Sequence, residues 1–183
     1  HENMTLSSFR EALILRLETA FIHALAETRI PANDVTLWDH SHSTASRFKS
    51  ILCRKILENN SNRKPEWRLI GFCWDGMGFI KKGKKIADNL KRQSILDNIR
   101  AELKRKFEDE IPIGNMVYWD INGAYFTFPG LDKENALELG VSCASEGYAI
   151  IRELSDDEIW PFVTLSKKSR SMTILTGELK FAA

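Results

Sequence analysis

Two apolar segments flank one long basic stretch, and their order constrains the fold more than any other feature. The first, residues 67–80 (WRLIGFCWDGMGFI), begins as a short apolar run with mixed aromatics and stops at Asp75, followed by Gly76 and Gly78. Its length favours a strand over a helix. The second, residues 115–130 (NMVYWDINGAYFTFPG), is two β-type runs, 116–121 and 125–128, joined at Asn122-Gly123. Asn-Gly between two such runs is a strong hairpin signal, because a tight hairpin turn wants φ > 0 there. Between the two segments, Leu96, Ile99, Leu103 and Phe107 mark the buried stripe of a helix over 87–107.

Beyond the hairpin, residues 131–139 open a helix whose positive N-terminal end suits Asp132 and Glu134. Residues 148–154 (YAIIREL) read as a fourth strand. The order from 66 to 154 is therefore βαββαβ, the split-βαβ arrangement of ferredoxin-like folds, and the fold class is α+β. After Ser155 the pattern weakens. Trp160-Pro161-Phe162 is expected to pack, and 172–175 to form an edge strand.

Ahead of this unit the spacing predicts two helices. Ser8 to Glu11 fits a capping box, and Phe9, Leu13, Leu17, Phe21 and Leu25 recur every four residues. Pro31 interrupts, and a second helix is expected over 37–57 with Phe48, Ile51 and Leu52 facing inward. The polar segment 58–65 (ENNSNRKP) reads as a linker. The expected organisation is a helical segment over 4–60 and a ferredoxin-like domain over 64–183.

The chain of 183 residues suffices for one good-sized domain with a small appendage. Net charge is +1, so no global field points to nucleic acid or a membrane surface. Locally, residues 81–106 hold ten basic and three acidic side chains. The three cysteines, Cys53, Cys73 and Cys143, form no zinc knuckle or CxxC pair, and an odd count fits a reducing cytoplasm. No apolar run approaches the ~20 residues of a membrane helix, and no signal peptide is visible. His1–Asn3 precede Met4 and Ala182-Ala183 close the chain, which fits a piece cut from a longer protein.

Asp75 is the first candidate site residue. An acid ending a buried strand ahead of Gly-x-Gly can hold Mg²⁺, a hard cation that takes one or two carboxylates plus phosphate oxygens. Gly76 and Gly78 would let phosphates approach the backbone. The plain alternative is an Asp-Gly turn. Asp120 could join Asp75 as a second metal carboxylate if strand alternation points it the same way, or be an exposed hairpin acid. Lys81, Lys82, Lys84 and Lys85 could neutralise phosphate or form a solvated face. His40 and His42 lack the His-Asp dyad and further ligands a metal-dependent phosphohydrolase would need. Residues 166–171 (SKKSRS) read either as an anion-binding turn or as an exposed loop. Trp119, Tyr125 and Phe128 could stack bases across a sheet face or fill the core.

Three stretches together resemble a known family, the large palm-containing subunit of type III CRISPR effector complexes. Residues 28–45 (TRIPANDVTLWDHSHSTA) are similar to the end of its phosphohydrolase-like region, with the pattern itself at 36–45. Residues 69–80 (LIGFCWDGMGFI) are similar to the strand that opens its first palm, and 117–129 (VYWDINGAYFTFP) to that palm's hairpin. The family has two facing palms. The second carries a GGDD hairpin and makes cyclic oligoadenylate from ATP; the first has lost the acids and helps hold ATP. This chain has Asn122-Gly123-Ala124-Tyr125 and no GGDD, so it resembles the first.

The resemblance implies a CRISPR-associated, antiviral role for a catalytically silent palm. Asp75, Gly76, Gly78, Lys81, Asn122 and Gly123 would lie against nucleotide, and Asp75 against Mg²⁺. The partners implied are ATP, a second palm, other effector subunits and guide RNA, in the cytoplasm and with no membrane. A stand-alone nucleotidyl cyclase using Asp75 and Asp120, and an RNA-binding ferredoxin-like module, are the alternative readings.

Overall fold

The structure is a computed structural model, and it describes residues 5–25, 36–59, 64–175 and 177. The chain divides into two compact units, His1–Ala45 and Ser46–Ala183. The division falls within one helix, α2 (Leu37–Glu58).

In the first unit, α1 spans Leu6–Phe21. Its N-cap is Thr5, whose hydroxyl accepts from Ser8 N at 3.2 Å. The cap thus lies three residues before the expected Ser8, which occupies the first turn. Thr36 and Asp39 cap the start of α2 reciprocally: Thr36 Oγ1 and N both donate to the Asp39 carboxylate, and Asp39 N donates to Thr36 Oγ1.

In the second unit, α2 turns its polar side inward. Ser46, Ser50 and Arg54 are buried, whereas Phe48 is 66% and Leu52 45% exposed, the reverse of the expected facing. The cause is hydrogen bonding. Ser50 Oγ donates to Ile113 O, Thr127 Oγ1 donates to Ser46 O, and Asn115 Nδ2 donates to Ser46 Oγ. Each bond satisfies a buried polar group that a Phe or Leu on that side would have stranded.

The remainder is the ferredoxin-like unit. Its elements are β1 (Trp67–Cys73), α3 (Gly76–Lys81), α4 (Ile86–Lys104), β2 (Met116–Asp120), β3 (Gly123–Pro129), α5 (Lys133–Leu154) and β4 (Phe162–Leu165). A π-helical turn, Arg105–Glu110, continues α4. The strands form one antiparallel sheet in the order β2-β3-β1-β4. The βαββαβ order is as expected, but its last two elements lie elsewhere. Residues 148–154 belong to α5, and the fourth strand is Phe162–Leu165. Residues 172–175 form a turn and the start of a helix rather than an edge strand.

Register sets the two faces of the sheet. Ile70 opposes Phe126 and Phe72 opposes Ala124, and these point toward the helices; Gly71 opposes Tyr125 on the other side. Phe72 stacks on Phe107 at 5.1 Å, and both meet Phe126 edge-on. Leu96, Ile99, Leu103 and Phe107 are fully buried against them, as their spacing predicts. From α5 come Ala136, Gly140, Cys143, Gly147 and Ile151. Small residues on that stripe let the helix axis approach the sheet: a Cβ on Gly147 would lie 2.1 Å from the Phe72 ring. Of Trp160-Pro161-Phe162, expected to pack, Pro161 is buried, while Trp160 and Phe162 are 68% and 46% exposed and the Arg152 guanidinium lies 4.4 Å from the Trp160 ring centroid.

Candidate functional site

The fold brings the two sequence motifs together at one end of the sheet. β1 and β3 are paired from Trp67 opposite Pro129 to Cys73 opposite Gly123, so the chain leaving β1 meets the β2–β3 turn. Trp74 N donates to Asn122 O at 2.8 Å, and the Trp74 indole donates to Ile121 O at 3.0 Å. The Asn122 side-chain oxygen accepts from Gly76 N at 3.2 Å and Met77 N at 3.4 Å. Asp75 is exposed and caps α3, its Oδ1 accepting from Gly78 N at 2.7 Å.

This geometry gives the glycines roles different from those the sequence suggests. Gly76 lets the turn approach: a Cβ there would lie 1.7 Å from Ile121 O. Gly123 packs on β1, where a Cβ would lie 2.5 Å from Phe72 O. At Gly78 a Cβ would first meet the Asp75 carboxylate, at 2.1 Å. The amides of Gly76, Met77 and Gly78 are all bonded, to Asn122 or Asp75. A phosphate would reach them only by displacing those side chains.

The hairpin also differs from the expected turn. Its central pair is Ile121-Asn122, since Asp120 pairs with Gly123, and neither Asn122 nor Gly123 has a positive φ. An Asx turn takes over the work of the left-handed residue, with Asn122 N donating to Asp120 Oδ1 at 2.8 Å. The Tyr118 hydroxyl donates to Asp120 Oδ2 at 3.2 Å. Burial, and then the adjoining Asp120 carboxylate, hold the Tyr118 phenol above its ordinary pKa. Both Asp120 oxygens are thus engaged within the hairpin.

The remaining candidates are placed as follows. Lys81 is exposed in the last turn of α3. Lys82 and Arg92 face Glu158, at 3.7 Å and 2.9 Å. Arg92 also donates to Phe79 O and lies 4.5 Å from the Phe79 ring centroid. Ala124 and Tyr125, at the positions where acids would follow the glycine, are 0% and 2% exposed. Tyr125 and Phe128 (0% exposed) fill the interior, and Trp119 packs on Trp74 at 5.6 Å. Tyr125 and Phe128 are therefore closed to base stacking, and Trp119 is half-buried. The His42 ring lies 5.4 Å from the Trp38 ring at a tilt of 35°, and Asp39 is the capping partner of Thr36.

Among the described residues no group of three or more His, Cys, Asp or Glu side chains stands together. A metal at Asp75 would hold one protein carboxylate oxygen, Oδ2, and would depend on phosphate oxygens for the rest. Mg²⁺ accepts such a donor set. No helix among the described residues is long and apolar enough to cross a membrane. No family model matches the chain, and no curated protein matches it.

Sequence reasoning missed the bond from Asn122 to the Gly76 and Met77 amides, which draws the motifs together. It also missed Arg68, a lone cation inside the apolar run 67–74. The oddity of an Arg there was the available signal.

Proposed function

We propose that this chain is a nucleotide-holding, catalytically silent palm of the type III CRISPR large-subunit kind, working beside a second palm that carries the acids. The observation that supports it is the docking of Asn122 onto the Gly76 and Met77 amides, at 3.2 Å and 3.4 Å. Two motifs separated by more than forty residues thereby form one continuous surface at the end of a ferredoxin-like sheet.

In this reading Asp75 Oδ2 takes Mg²⁺ together with phosphate oxygens of ATP. The Asn122 Nδ2 group donates to the nucleotide, and Lys81 supplies countercharge. Phosphoryl transfer by a two-metal site needs a second carboxylate. Asp120 is bonded to Tyr118 and Asn122, and Ala124 and Tyr125 carry no acid. The chain alone therefore holds nucleotide without turning it over, and cyclic oligoadenylate is the product of the second palm. Guide RNA and the other effector subunits are its partners in antiviral defence.

Calorimetric titration with ATP, with and without Mg²⁺, tests this reading. Mg²⁺-dependent binding that disappears in Asp75→Ala is the expected result, with no oligoadenylate formed. Binding indifferent to Asp75→Ala, or oligoadenylate made by the chain alone, would sink it.

A further inference from the structure

The opposite end of β1, about 20 Å from Asp75 along the strand, holds a second polar site. Arg68 enters it from the strand. Its Nη1 donates to Ser166 O at 2.7 Å and its Nη2 to Leu131 O at 3.2 Å, while the buried Nε has no hydrogen-bond partner. No carboxylate within ion-pairing distance neutralises it among the described residues. The nearest acids are otherwise placed: Asp132 pairs with Lys168 at 2.8 Å, and Glu66 faces Arg170 at 3.7 Å. Burial, and then Arg54, push the Arg68 pKa down, against a weaker opposite pull from Asp132 and Glu66.

Arg68 lines a cavity of about 440 Å³ with Lys133, Lys167 and Lys168, and Leu137 and Leu165 form its apolar side. Lys133 opens α5, where a cation opposes the helix dipole. Asp132 makes no side-chain cap bond to the helix. The wall thus gathers four cations, one of them compensated by Asp132, beside the positive end of a 22-residue helix. Arg68, partly buried and satisfied only by carbonyls, gains most from an anion, while Lys133 and Lys167 stand exposed at the rim.

We propose that this cavity binds a small phosphorylated ligand carrying two to three negative charges. Arg68, Lys133 and Lys167, which form no ion pair among the described residues, set the charge. The volume lies within the ~300–1,000 Å³ typical of small-molecule sites. The apolar side takes the body of the ligand. The cations converge on one cavity instead of running in a stripe, which favours a compact anion over a nucleic-acid backbone.

The test is calorimetric titration with inorganic pyrophosphate, in EDTA and on the Asp75→Ala chain, so that the nucleotide reading above neither helps nor harms it. Saturable binding is expected, weakened at least about tenfold in Lys133→Gln/Lys167→Gln. Among the described residues the amines of these two lysines make no hydrogen bond or ion pair, and unchanged circular dichroism and Tm will verify folding. Lys91→Gln/Lys104→Gln, an equal charge change elsewhere, should bind as before. Three outcomes overturn the proposal: no saturable binding, equal loss in both pairs, or a short single-stranded RNA that outcompetes pyrophosphate through the same lysines.

Discussion

Gly76 is where a single methyl group should matter most. Its added Cβ would sit 1.7 Å from Ile121 O, a backbone atom held by the Trp74 indole at 3.0 Å. Neither partner can yield without moving the hairpin. Gly76→Ala is expected to cost about 2 kcal/mol or more, read as a lower urea midpoint. Cysteines offer a second residue-scale check. Cys143 is 1% exposed, and burial, with Cys53 and Glu146 nearby, pushes its thiol up to about 12. It stays protonated at pH 8, and iodoacetamide should label Cys53 before Cys143. The candidate positions themselves were legible: Asp75, Gly76, Asn122 and Gly123 all reach one place. Their roles were not, because hydrogen-bond partners depend on which loops the sheet brings together.

At the scale of elements, α5 explains both a misreading and a prediction. Its buried stripe is Ala136, Gly140, Cys143, Gly147 and Ile151, and three of the five carry little or no side chain. The glycines and alanine of that stripe do not stand out as core positions, so the one dense apolar run, 148–154, passes for a strand. The true β4 has four residues and lies at a sheet edge. The same stripe predicts opposite signs for one substitution. Gly140→Ala meets only a Leu165 methyl at 3.5 Å and gains about 0.5–1 kcal/mol from helix propensity. Gly147→Ala drives into the Phe72 ring and should lower the midpoint by roughly 1–3 kcal/mol. A second tie joins α4 to the segment before β4, through Arg92 and Glu158. First Arg92, then Lys82, hold the Glu158 carboxyl below its ordinary value. Its contribution is therefore present above the unfolded-state pKa and is lost as pH falls through the lowered one. Solvent screens the pair, so Glu158→Gln should cost only about 0.5 kcal/mol at pH 7. The gap to the unmutated chain should close in strong acid, followed by urea unfolding across pH.

For the whole molecule, the α+β class and the βαββαβ order were legible because β1, the hairpin and α4 have strong local signals. The contribution of α2 was not, because a helix that buries Ser46, Ser50 and Arg54 runs against every hydrophobic pattern. Those residues serve the sheet. Ser50 satisfies Ile113 O, Asn115 reaches Ser46, and Lys49 Nζ donates to Glu108 O at 2.6 Å and to Asn115 Oδ1 at 3.1 Å. Arg54 donates to Lys64 O and pairs with Glu58. Removing this half-helix would take several hydrogen bonds from the polar groups it covers and open them to water, each lost bond costing about 0.5–1.5 kcal/mol, with the burial around it lost as well. That sum is comparable with the total stability of a small domain, about 5–15 kcal/mol. A chain beginning at Ser46 should therefore keep a cooperative thermal transition, and one beginning at Lys64 should lose it or melt at a much lower temperature. Equal Tm values for the two would mean that the sheet does not depend on α2, and that the polar contacts at Ser46 and Ser50 add nothing to its stability.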